Sequence, residues 1–177
     1  MPSHPNAALL HDAHHPFSEP LIPHGEPGEA ESADLQTAIA TWERSGRPES
    51  FEALETYLDK HPSSAWNVGL LANLGILAEQ SAQFSKAVGW LKQAFELGKG
   101  AQDLSLRRLV DRALGELLHL HARLGNAEAL EHWLQEAEAR PLQGAATQHR
   151  TEARLALWGL ENQQGVAHRC GAAALKG

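Results

Sequence analysis

Histidine and cysteine are the residues of this chain best suited to metal or nucleophilic chemistry, and their positions are uneven. His4, His11, His14, His15 and His24 crowd the beginning. Neutral imidazole is a common ligand for zinc or copper, which makes this a candidate metal tract. The same stretch holds Pro2, Pro5, Pro16, Pro20, Pro23 and Pro27 and no cysteine, so no helix runs through it and nothing fixes a coordination geometry. Residues 1 to about 30 therefore read as a disordered, solvated leader, and no metal site or cofactor is expected in the chain. Cys170 is the only cysteine; an internal disulfide is excluded and the thiol is free. Arg112, Glu116, His119 and Arg123 recur at helical spacing on one polar stripe. The plain reading of that stripe is a solvated face, with Arg112 and Glu116 as an i,i+4 pair worth about 0.3–0.5 kcal/mol. It is also where a peptide would be sought first. His121 falls in the apolar stripe beside it and reads as a core histidine satisfied by a hydrogen bond.

The elements that must position these groups are helices. From Ala33 onward Leu35, Ala38, Ile39 and Trp42 share one face, and Ser45-Gly46-Arg47-Pro48 ends that helix and starts another carrying Phe51, Leu54, Tyr57 and Leu58. His61-Pro62 closes the second helix, and Ser63 or Ser64 caps the next. Leu70, Leu71, Leu74, Leu77 and Ala78 then mark a third helix, and Phe84, Ala87, Val88, Leu91, Ala94 and Phe95 a fourth, across a short turn at Ser81-Ala82-Gln83. After Gly98-Lys99-Gly100 comes a long apolar face from Leu106 to Leu124. Gly125-Asn126 forms the turn before Leu130, Trp133, Leu134 and Ala137. A last helix, from about Gln143 or Ala145 to Asn162, carries Ala153, Leu157, Trp158 and Leu160 and is expected to cap the stack.

Leu74-Gly75, followed by Ala78, Phe84, Ala87, Leu91 and Ala94, resembles the tetratricopeptide pattern of a Leu-Gly pair, a small-residue column and a bulky residue four after the first alanine. Gly75 and Ala87 let two helix backbones approach, and Leu91 and Ala94 fill the space to the next helix. The resemblance implies an all-α fold over residues 33–162, with antiparallel helix pairs stacked as a short solenoid. Placing Leu117 and Leu118 opposite Leu74 and Gly75 extends the pattern to the third pair. In such a stack the first helix of each pair lines the concave face, which places Asn73 and Gln80 there. The implied function is a scaffold that binds a protein or peptide.

The tail, residues 163–177, carries a second resemblance. Gln164, Arg169 and the run Cys170-Gly171-Ala172-Ala173-Ala174-Leu175 are similar to the amino-terminal motif of papain-like cysteine peptidases of the bacteriocin-processing, double-glycine-leader type. The resemblance implies Cys170 as nucleophile, its thiolate stabilised at a helix start, and Gln164 as oxyanion donor. That family takes its His and Asp from far downstream of the Cys, whereas every histidine here precedes Cys170. The chain as it stands is therefore expected to be non-catalytic. The alternative function is the substrate-recruiting leading part of a cysteine peptidase that continues beyond Gly177.

Composition narrows the partners. The formal net charge is -7 and the pI is near 5.8, which argues against nucleic acid, since a binder carries a basic face or stripe. With 177 residues, 42% of them hydrophobic, the chain holds one domain with a sizeable core. The amino terminus has no basic region leading into a long apolar core, so neither a signal peptide nor a membrane span is expected, and the cytoplasm is the expected location.

Overall fold

Among the described residues the regular structure is seven helices and no strand: α1 Glu29–Arg44, α2 Glu52–Lys60, α3 Asn67–Gln80, α4 Phe84–Gly98, α5 Leu104–Leu124, α6 Ala127–Glu138 and α7 Ala145–Ala173. They come from a computed structural model that describes the backbone of residues 16–173 and the side chains of residues 16–162. The all-α expectation holds at this level. The chain divides into two compact units, Met1–Ala113 and Leu114–Gly177, and α5 runs through the boundary. No helix among the described residues is long and apolar enough to cross a membrane.

In the first unit α3 is the central element. Eleven of its fourteen residues are buried, and a helix apolar nearly all round must be covered on every side. It packs along α4, with Val68 near its start against Gly98 and Gly75 against Leu91. Gly75 is what permits this: a Cβ there would sit 2.6 Å from Leu91 Cδ2 and 3.3 Å from the Leu91 backbone nitrogen. The turn between the two helices places Ala82 at φ 58, a left-handed conformation costing a non-glycine residue roughly 1–2 kcal/mol. It is held there by bonds from Ala82 N–H to Glu79 O and from Gln83 N–H to Ala78 O. α4 buries Ala87, Trp90, Leu91, Ala94, Phe95 and Gly98; of the face read from periodicity, Phe84 and Val88 are only half-buried, and Trp90 and Gly98 join it. Phe51, at the start of α2, meets Trp90 edge to face at 5.2 Å, and Lys86 lies 5.5 Å above the Trp90 ring.

α1 begins at Glu29, four residues earlier than Ala33, because the Glu31 carboxylate reaches back 2.7 Å to accept from Gly28 N–H. It buries Ser32, Leu35, Ile39 and Trp42 and packs on α2. Asp34 accepts from Lys60 Nζ at 2.7 Å and pairs with His61 Nε2 at 2.8 Å. Those two contacts, Lys60 first, hold its carboxyl below the usual range. Burial pushes the Tyr57 hydroxyl up to about 12, the Ser64 hydrogen bond partly opposing it.

Residues 16–28, which the sequence places in the leader, are neither helical nor solvated throughout. Leu21 is fully buried and Phe17 nearly so, with Phe17 stacked on Trp42 at 5.7 Å. Proline excludes a helix here without excluding packing. Residues 1–15 lie outside the described ones.

In the second unit Gly125 adopts φ +66, and Asn126 Oδ1 caps α6 by accepting from Ala129 N–H at 3.1 Å, as Gly125-Asn126 promises. α6 buries Leu130, Trp133, Leu134 and Ala137 and packs on α7. Of the four residues expected to bury on α7, Ala153 does so, while Trp158 is two-thirds exposed. Trp158 instead borders an open groove of about 300 Å³ with Leu134, Glu138 and Arg154.

Candidate functional site

Two side-chain constellations stand out, one in each unit. In the first, α3 holds a stretch of non-helical main chain. Asn73, fully buried, accepts from Glu19 N–H at 3.0 Å and donates through Nδ2 to Glu19 O, also at 3.0 Å. The same Nδ2 donates to Gly69 O at 2.9 Å, which fixes the amide's orientation. One turn earlier, a Cβ on Gly69 would stand 3.1 Å from Ile22 N and 3.3 Å from Leu21 Cα, so a glycine is what lets the segment lie against the helix. His24 N–H closes the far end on Ala65 O at 2.7 Å. Arg112 Nε, on α5, lies 3.6 Å from the Glu19 carboxylate.

Asn73 and Arg112, both assigned to a binding face from the sequence, thus converge on Glu19. Gln80 is exposed at the end of α3 and makes none of these contacts. Glu19 and Gly69 were not singled out from the sequence; the only signal for them was Gly69 itself, a small residue on an otherwise apolar helix. A separate open groove of about 470 Å³ runs between α1 and α2, lined by Asp34, Thr37, Trp42, Thr56, Tyr57 and Lys60. The hydroxyls of Thr37 and Thr56 are turned back to their own helix, onto Ala33 O and Glu52 O, so they present methyl groups to the groove.

The second constellation joins α5 to α7. The backbones come close where a Cβ on Gly115 would meet Ala146 Cα at 2.9 Å. Just beyond this approach, Glu116 and His119 on α5 face His149 and Glu152 on α7. The His119 and His149 rings lie 4.9 Å apart. His149 Nδ1 is 3.4 Å from Glu152 Oε2, and its Nε2 is 3.9 Å from Glu116 Oε1. Gln148 Nε2 donates to the other Glu152 oxygen at 2.8 Å. The Gln148 bond, followed by His149, lowers the Glu152 pKa. Glu116, expected on a solvated face, is buried, because α7 covers it. Arg123, the last residue of that stripe, is exposed.

No family model, curated protein or solved structure matches this chain. The side chains of Gln164 and Cys170 lie outside the described residues, and the helix that contains them, α7, begins at Ala145 and runs to Ala173.

His121 is buried as expected, but its Nδ1 has no hydrogen-bond partner among the described residues. Burial alone lowers its pKa below the usual 6.5. The unfolded chain then takes up this proton more readily than the folded one, so stability present above about 6.5 is lost as pH falls from there toward the folded value. His121→Leu is expected to be neutral or stabilising at pH 7, since it removes an unsatisfied polar atom, and to flatten the fall in unfolding midpoint between pH 7 and 5. Thermal melts of both proteins across that range check it; parallel curves would refute it.

Proposed function

We propose that this chain is a helical binding module of tetratricopeptide-like type, with helix pairs stacked in sequence and a polypeptide segment as ligand. The observation that carries the reading is the double hydrogen bond between the Asn73 amide and the Glu19 backbone. A side-chain amide that pairs with both main-chain groups of one residue reads main chain, whatever side chain that residue carries, and Gly69 and Arg112 add close approach and a charge requirement. Main-chain bonds supply affinity and side-chain pockets supply selectivity in peptide recognition generally. Leu21 and Phe17 fill the apolar positions here. Pro20 and Pro23 restrict the free segment, so less entropy is lost when it is held. The chain's own residues 16–24 then occupy a surface that accepts a partner segment of similar character: apolar residues spaced by proline, with a carboxylate for Arg112.

A labelled peptide of residues 16–28 tests this in trans. It is expected to bind the full-length Leu21→Asp variant saturably, because a charge at a fully buried position loosens the resident segment. Binding to the parent is expected to be weaker, and Asn73→Ala in the Leu21→Asp background should remove it. Fluorescence anisotropy reads the result, with circular dichroism confirming that each variant keeps its helices. A folded Leu21→Asp variant that binds no better than the parent would contradict the proposal.

A further inference from the structure

We infer that His119, His149 and Glu152 form a binding site for a zinc-class divalent ion, with Glu116 as the positioning carboxylate. One ligand atom from each of the three lies within 4.8 Å of the other two. The spacing comes from sequence in two matched halves, Glu116-x-x-His119 on α5 and His149-x-x-Glu152 on α7. Each i,i+3 pair shares one helix face, and the Gly115–Ala146 approach turns those faces toward each other.

The donor set fits the ion. Zinc takes imidazole nitrogen at about 2.0–2.1 Å and carboxylate oxygen at about 2.0–2.2 Å, which places tetrahedral ligand atoms roughly 3.3 Å apart. His149 Nδ1 and Glu152 Oε2 already stand at 3.4 Å. The widest gap, within 4.8 Å, exceeds that separation by about 1.5 Å, a distance on the scale of side-chain rotation. Gln148 holds the second Glu152 oxygen and so leaves Oε2 for the ion. With Nδ1 on the metal, His149 Nε2–H points toward Glu116 Oε1, now 3.9 Å away. A buried carboxylate behind a ligating histidine fixes its tautomer and raises its basicity. Three protein ligands leave the fourth position to water or to a ligand atom from a bound molecule. The site lies wholly in the second unit and does not depend on peptide binding in the first.

Cobalt(II) is the probe, because four-coordinate cobalt absorbs strongly in the visible and reports geometry as well as occupancy. The full-length protein is expected to take up one Co²⁺ with tetrahedral bands that Zn²⁺ displaces. His149→Ala and, on the more exposed side of the site, Glu152→Gln are each expected to abolish those bands while circular dichroism stays unchanged. A variant with His4, His11, His14 and His15 replaced by Asn is expected to keep them, which separates this site from the leader histidines. Glu116→Gln is expected to keep the bands and weaken binding by about 10–100-fold, with Glu116→Asp recovering part of the loss. Bands that survive in both His149→Ala and Glu152→Gln, or that vanish with the leader substitutions, would overturn the assignment, as would their absence from the parent protein.

Discussion

Leu91→Ala is expected to lower stability by about 2–5 kcal/mol, the range for truncating a fully buried leucine whose cavity cannot collapse. Leu91 is fully buried, and its side chain fills the space that Gly75 leaves open on α3. Two helix backbones meet there, so the surroundings have little freedom to relax into the void. The reciprocal change, Gly75→Leu, is expected to cost about 1–3 kcal/mol or more through overpacking, since the new Cβ would press on the Leu91 backbone nitrogen as well as its side chain. A flexible side chain can move aside; a helix backbone cannot without moving α4. At roughly 2–4 °C per kcal/mol for a chain of this size, both changes are visible in thermal melts followed by circular dichroism. Combining them tests the contact itself: Gly75→Ala with Leu91→Ala is expected to lose less than the sum of the single effects, because the added methyl enters the cavity. Strict additivity, or a Gly75→Leu variant that melts like the parent, would mean that α3 and α4 do not meet at this point.

Trp66→Ala is expected to cost about 3–5 kcal/mol. Trp66 is fully buried and the largest side chain in that state. It also anchors a relay of polar groups: its Nε1–H donates to Ser32 Oγ at 3.0 Å, and the Ser32 hydroxyl donates to Gly28 O at 2.8 Å. Its backbone N–H donates to Ser64 Oγ at 3.1 Å, which in turn shares a 2.7 Å bond with Tyr57 Oη. The indole thus ties the start of α3 to the first turn of α1, 34 residues away. Trp66→Phe keeps most of the apolar volume and loses the Ser32 bond, so a smaller cost of about 1–2 kcal/mol is expected from the bond and the residual cavity together. Urea unfolding of the three proteins gives the comparison. An alanine variant within 1 kcal/mol of the parent would place Trp66 outside the core.

Much of the helical layout was legible because burial on a helix is periodic. Leu35, Ile39 and Trp42, or Ala87, Leu91, Ala94 and Phe95, declare their face by spacing alone, and Gly125-Asn126 declares a turn by its conformational chemistry. The segment around Leu21 was not legible for the converse reason. Phe17 and Leu21 lie in a stretch with no regular period, and what they pack against is distant in sequence: Trp42 for Phe17, and the helix face at Gly69 for Leu21. Asn73 was assigned to a binding face through the tetratricopeptide resemblance, and its partner proved to be the chain's own backbone. The pairing of His119 with His149 was hidden in the same way. Each half of the constellation is visible as an i,i+3 pair, but only the small residues Gly115 and Ala146 bring the halves together, and no local pattern says which helices meet.

The most direct measurement is amide hydrogen exchange resolved at Glu19 and His24. The α3 face holds the main chain of Glu19 through Asn73, and Ala65 O holds the far end of the segment at His24. Both amides are then predicted to exchange well below the unstructured rate in the parent protein. Asn73→Ala is predicted to accelerate Glu19 strongly while amides in the middle of α4 keep their protection. Exchange of Glu19 and His24 at the unstructured rate in the parent, with α3 and α4 protected, would contradict the claim.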